Sequence, residues 1–194
     1  MSKAVRRNVK KIVEKINHSS KLRTDIPAQM AVAAPPLGPQ LGQRGINIAA
    51  FCKDFNEKTK HIKEGTPLPC RVWVKPDRTY ELVIHSPPAT FLLKQAAGIQ
   101  RGTMYPGREI AGKVTLKHIF EIAAIKLQDP PNALLTMQDM CNLLIGSARC
   151  CGIEVVKDLD PVEYGQFLEE RKSIVDQQKK ELEEKKQAKM LRTG

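Results

Sequence analysis

The residue types that most often carry chemistry are five cysteines (Cys52, Cys70, Cys141, Cys150, Cys151) and four histidines (His18, His61, His85, His118). A local zinc site needs C-x-x-C or comparable Cys–His spacing, and a secreted disulfide framework needs an even cysteine count. Neither pattern is present, so no metal is expected. A thiol nucleophile at Cys150 or Cys151 needs a depressed pKa, and only Arg149 stands beside them to lower it. Gly38, Gly42 and Gly45 make a second candidate, a phosphate loop. Their spacing, G-x-x-x-G-x-x-G, is neither the dinucleotide fingerprint nor the P-loop, and no Lys-Ser or Lys-Thr follows. These residues argue against an enzyme, a cofactor and a small-molecule substrate.

What remains is chemistry of recognition. The 194 residues carry a net charge of +11, which suits a polyanionic partner, either nucleic acid or an anionic membrane surface. No run approaches the roughly 18 apolar residues of a spanning helix. Two stretches concentrate the relevant residues. In Ile145-Gly146-Ser147-Ala148-Arg149, three small residues precede an arginine. A nucleic-acid backbone can approach such a surface closely, Ser147 can donate to a 2′-hydroxyl, and Arg149 can meet phosphate. Tight helix–helix packing through small residues explains the same stretch equally well. The other is Pro35-Pro36-Leu37-Gly38-Pro39-Gln40-Leu41-Gly42-Gln43-Arg44-Gly45. Three prolines and three glycines in eleven residues exclude a regular helix or central strand, so a rigid, mildly basic turn is expected.

The surrounding elements must hold these stretches. Residues 1–24 carry eight Lys or Arg and one acid, Glu14. Val5, Val9, Ile12 and Ile16 put them on a basic amphipathic helix, read either as an organelle-import presequence or as an RNA-binding arm. Residues 25–98 are expected to form a small α/β sandwich. It has a strand at Met30-Ala31-Val32-Ala33, then the proline-rich turn. Asn47 caps a helix with Ile48, Phe51, Cys52 and Phe55 on one face. A break follows at Gly65-Thr66-Pro67-Leu68-Pro69, then a hairpin of 71–74 and 79–84, and a helix from Ser86-Pro87 to Gly98. Residues 99–112, rich in glycine, read as a linker or mobile loop.

Residues 113–157 are expected to form a compact helical bundle. Thr115 caps a helix with Leu116, Ile119, Phe120, Ala123 and Leu127 inward, and Thr136 caps a second with Met140, Leu143, Leu144 and Ala148, closed by Gly152. Ile153-Glu154-Val155-Val156 is a short strand. Asp160-Pro161 opens a charged, solvated helical tail over 158–194.

The proline-rich stretch with Ile48 to Asn56, Lys75-Pro76-Asp77-Arg78-Thr79, Leu92-Leu93-Lys94-Gln95-Ala96-Ala97-Gly98-Ile99 and Gly146-Ser147-Ala148-Arg149 stand in one order over about 30–157. In that order they resemble the large-subunit ribosomal stalk-base protein, the L-eleven family. The extensions 1–24 and 158–194 are similar to its mitochondrial branch. The resemblance implies an α+β protein: a small α/β sandwich with a β-hairpin, linked to a compact helical-bundle RNA-binding domain. It implies large-subunit rRNA as partner, held at the GTPase-associated region by Gly146, Ser147, Ala148 and Arg149. Gly112, Lys113, Thr115, Lys117 and Arg101 lie in or near a loop that orders on binding. The turn, with Pro35, Pro36, Pro39, Gln40, Gln43, Arg44 and Gly45, would face rRNA and translation factors. Neighbouring stalk ribosomal proteins and, transiently, translational GTPases are implied partners, the mitochondrial ribosome the location, and no catalysis. The competing readings are a thiol enzyme and a free basic RNA-binding or membrane-surface adaptor outside the ribosome.

Overall fold

A computed structural model describes residues 21–75 and 79–193. It divides into two compact units, the first ending at Pro88 and the second starting at Ala89.

The first unit is a three-stranded antiparallel sheet ordered β1 (Leu22–Pro27), β2 (Pro67–Val74), β3 (Tyr80–Ile84). Helices α1 (Leu37–Gly42) and α2 (Ile48–Lys58) complete it. Alternation along β2 buries Leu68, Cys70 and Val72, and these meet Phe51, Cys52 and Phe55 of α2 in one core. Phe51 and Phe55 are fully buried, and truncating such a ring to alanine typically costs about 3–5 kcal/mol. The Asn47 side chain accepts the Ala50 N–H at 3.3 Å and caps α2 as expected. The Lys75 N–H reaches the Thr79 carbonyl at 2.8 Å across the expected hairpin turn, whose residues 76–78 lie outside the described residues.

Several expectations need correction. The edge strand is Leu22–Pro27, not Met30–Ala33. Asn56 explains why: its side chain accepts the Ala31 N–H at 3.0 Å and donates to the Ala31 carbonyl at 3.3 Å, taking the groups a ladder would need. Leu22 is buried and pairs with Val72, so 22–24 belong to the sheet and not to a basic extension. Residues 1–20, which carry the rest of that reading, lie outside the described residues. Pro67 and Pro69 do not break the chain but sit in β2. The Pro69 carbonyl accepts the His85 N–H, so these prolines turn their missing donors to the side where pairing with β3 stops at Ile84. The proline-rich stretch holds a helix after all. With Pro36 as N-cap, Pro39 falls in the first turn, where an N–H has no intrahelical partner anyway.

The second unit contains α3 (Ala89–Ala96), β4 (Gly112–Thr115), α4 (Leu116–Leu127), α5 (Met137–Cys151), β5 (Ile153–Val156) and α6 (Pro161–Thr193). Its core joins Leu93 and Ala97 to Val114, Ile119, Ile122, Ala123, Met140, Leu144, Ala148 and Ile153. Leu93 and Ala97 therefore move the boundary expected at 98 back to 88. The bundle also contains a parallel strand pair, with Gly112 opposite Ile153 and Thr115 opposite Val156. The stretch read as a linker is fastened to the end of α5. The Thr103 N–H donates to the Cys151 carbonyl at 3.0 Å, and the Ala111 N–H to the Gly152 carbonyl at 2.7 Å. Both caps hold: Thr115 Oγ1 accepts the His118 N–H, and Thr136 Oγ1 accepts the Asp139 N–H. Leu116 and Phe120, expected inward, are about half exposed, while Ile122 enters the core instead.

The tail is helical, as expected, but not solvated throughout. Asp160 caps it by accepting the Val162 N–H at 2.9 Å. The Tyr164 hydroxyl donates to the Ala97 carbonyl at 2.6 Å and accepts the Lys113 N–H at 3.0 Å. Arg171 is only 5% exposed.

Candidate nucleic-acid interface

Helix α5 is amphipathic, and its faces sort the residues of the small-plus-arginine stretch. Met140, Leu144 and Ala148 point into the core, so Ala148 is a packing residue and cannot meet RNA, contrary to expectation. Leu143, Gly146, Ser147 and Cys150 recur at i, i+3, i+4 and i+7, one stripe of a helix. Leu143, Gly146 and Cys150 are exposed and Ser147 is half-buried. A Cβ built on Gly146 would meet nothing within 4 Å. Helix packing therefore gives no reason for a glycine there. The Ser147 hydroxyl donates to the Leu143 carbonyl at 3.0 Å, which leaves its oxygen lone pairs as acceptors. Leu143 and Cys150 are the stripe members that the sequence reading did not place there, although the helical period counted from Gly146 identifies both.

Arg149 lies beside a groove of about 440 Å³ with Ile145, Arg108, Glu109 and Ile110. Two arginines, Arg108 and Arg149, thus line one concavity next to the stripe. Arg108 was absent from the expected set because nothing in a glycine-rich segment announces which residue lies beside α5.

The remaining expected residues separate by role. Lys117 is exposed in the first turn of α4, and Arg101 is half-buried. Thr115 is committed to its cap, with Oγ1 also 3.0 Å from His118 Nδ1. Gly112 is buried in β4. A Cβ there would sit 3.1 Å from Ala97 Cβ and 3.2 Å from the Tyr164 hydroxyl, so it serves packing and not RNA. Lys113 lies in β4 and not in a loop; its Nζ stands 5.6 Å from the centre of the Phe167 ring.

In the first unit, Leu37 and Leu41 anchor α1 in the core. Pro35, Pro36, Pro39, Gln43 and Gly45 remain exposed, and Gln40 and Arg44 are half-buried. Arg44 Nη1 donates to the Gln40 carbonyl at 2.9 Å, and Gly45 takes φ +71° to leave the helix. The proline face is therefore rigid and outward.

No thiol is poised for catalysis by its surroundings among Cys52, Cys70 and Cys151. Burial raises all three above the ordinary thiol value, Cys70 to about 12 with help from Asp25. Lys94 pulls Cys151 the other way but is outweighed. Among the described residues, no helix is long and apolar enough to cross a membrane.

Two family models match in sequence order: ribosomal protein L11, N-terminal domain, over 22–80, and ribosomal protein L11, RNA binding domain, over 85–155. The chain belongs to the ribosomal protein L11 family. One match falls within the first structural unit and the other covers most of the second as far as β5, so the L11 RNA-binding model includes α5 and its exposed stripe. It is a non-enzymatic family. The chain is 68% identical to the large ribosomal subunit protein uL11m of Drosophila melanogaster, over 100% of both chains. It is 55% identical to uL11m of Caenorhabditis elegans, over 99% of this chain and 98% of that one. The large ribosomal subunit protein uL11 of Afipia carboxidovorans is 43% identical, but the match spans 69% of this chain and 93% of that protein.

Proposed function

We propose that this protein is a structural constituent of the mitochondrial large ribosomal subunit, where its second unit holds large-subunit rRNA. The family and the full-length likeness to the uL11m proteins support the ribosomal and mitochondrial setting. Within that setting, the rRNA faces the Gly146–Ser147–Cys150 stripe of α5, with Arg149 and Arg108 meeting phosphate from the adjoining groove. The observation that carries this reading is Gly146. A glycine inside a helix costs about 1 kcal/mol relative to alanine, and with nothing within 4 Å the fold gains no packing in return. Close approach of a backbone from outside the molecule supplies the missing reason.

The first unit, on this reading, presents the exposed prolines of α1 and the preceding turn to a neighbouring rRNA loop and to translational GTPases at the stalk base. Neighbouring stalk proteins complete the surroundings. Sedimentation tests the proposal: tagged protein in a mitochondrial lysate should travel with large ribosomal subunits at physiological salt. A chain that stays in the light fractions there sinks the ribosomal reading.

A further inference from the structure

Helix α6 lies outside both family models. The bacterial relative has already used 93% of its length in matching 69% of this chain, so its remainder is too short for a helix of 33 residues. The Drosophila and Caenorhabditis relatives, matched essentially end to end, do contain a counterpart. The tail helix is thus an addition to the family's two domains, and its contacts show what it touches.

The centre of those contacts is the Glu109 carboxylate. Its Oε2 accepts the Thr103 hydroxyl at 2.7 Å and the Met104 N–H at 3.2 Å, both from its own loop. Its Oε1 accepts Arg171 Nη1 and, at 2.7 Å, Gln178 Nε2, both from α6. One carboxylate therefore ties two donors of the loop to two donors of the tail, two turns apart along the helix. The same loop is bonded through Thr103 to the Cys151 carbonyl at the end of α5. It also carries Arg108 beside Arg149. Near the start of α6, Tyr164 holds Ala97 and Lys113.

We propose that α6 is a built-in brace that orders the 103–109 loop before RNA arrives, with Arg171 and Gln178 as positioning residues and Glu109 as their shared anchor. This rests on the reading of α5 and its groove as the rRNA face. Fixing a loop costs conformational entropy, and a partner that must order it pays that cost out of its affinity. Here the tail bears it during folding, so the loop and Arg108 meet RNA already in place. The pair, with Arg171 buried and Glu109 partly buried, suits fastening better than stabilising. Arg171 Nε and Nη2 have no partner among the described residues, and a buried ion pair with donors to spare adds little net stability while specifying position.

The test uses the full chain with Arg171→Met and Gln178→Leu together, which keep stem volume but remove both tail donors. Lys172→Met, one residue along on the exposed face, is the control. Amide hydrogen exchange of 104–109 should accelerate at least about tenfold in the double variant, with the α5 core amides unchanged. Affinity for a large-subunit rRNA fragment should fall about threefold to tenfold, because ordering the loop now falls to the complex. The slope of affinity against salt should not change, since no phosphate contact is removed. The control should do neither. Unchanged loop exchange overturns the brace, as does faster exchange without weaker binding, or a weaker complex with a shallower salt slope, which would place Arg171 on phosphate. If the double variant unfolds more widely, the charge exchange Glu109→Arg with Arg171→Glu decides. It should recover loop protection relative to Glu109→Arg alone, and failure to do so rejects the pairing. An unaltered chain that does not bind the rRNA fragment overturns the rRNA reading instead, and the exchange arm still judges the brace.

Discussion

One turn of α5 holds residues with opposite duties, and single substitutions separate them. Gly146→Leu places its side chain in open space, so the free protein should melt at an unchanged or slightly higher temperature, gaining a few tenths of a kcal/mol or more in helix propensity. Facing RNA, the same side chain holds the helix off the backbone. Affinity for the rRNA fragment should then drop at least about tenfold, or 1.4 kcal/mol. Ala148→Leu should behave in the reverse way. Ala148 is fully buried, and overfilling a packed core costs about 1–3 kcal/mol of stability. Thermal melts beside RNA titrations of both variants check the pair of predictions, and a large loss of melting temperature in Gly146→Leu would return that residue to the core.

At the scale of elements, the junction of α6 with the 103–109 loop depends on pH through Glu109. The Arg171 guanidinium is the main cause holding its carboxyl far below the ordinary carboxylate range, at about 2; burial opposes it, and the Thr103, Gln178 and Met104 donors assist. A folded value depressed below the unfolded one contributes stability that is fully present above about pH 4.5. That stability is lost as pH falls towards 2. Carboxyl-carbon NMR of Glu109 should show a midpoint near 2, and Arg171→Met should move it upward towards the ordinary range. A wild-type midpoint in the ordinary range would contradict the buried pairing. Helix α5 has its own element-level test in its cap. Thr136→Ala removes the acceptor of the Asp139 N–H and should cost about 0.5–2 kcal/mol by chemical denaturation.

For the whole molecule, the two cores predict two separable failures. Phe55→Ala hollows the first core, where Phe55 is fully buried, and should cost that unit about 3–5 kcal/mol. The second unit's rRNA affinity should stay within about twofold, because its core shares no side chain with the first. A parallel collapse of RNA binding would show that the units depend on one another. We propose that the chain's basic start directs import. A fluorescent fusion beginning at residue 21 should remain cytosolic while the full chain reaches mitochondria; normal import of the shortened fusion would remove the presequence reading. The cut falls at 20 because Leu22 already belongs to the sheet core.

Local signals in the sequence determined what local physics can determine. Asn47, Thr115, Thr136 and Asp160 marked helix starts, because a short polar side chain beside a periodic run has one good use there. Gly152 marked a helix end, where it adopts φ +74°. The ordered motifs identified the family, and the excess charge pointed to a polyanion. Tertiary structure alone decided the rest. A four-residue strand such as Gly112–Thr115 has too little alternation to be seen, and it exists because Ile153–Val156 lies alongside it. Leu93 and Ala97 are apolar at helical spacing whichever core they enter, so only packing assigns them to the second unit. Ala148 and Gly146 are both small in sequence, and two residues along a helix put one in the core and the other in solvent. Glu109, Arg171 and Gln178 were three polar residues up to 69 positions apart. Their meeting depends on the fold, because a partly buried carboxylate must find its donors wherever the chain brings them.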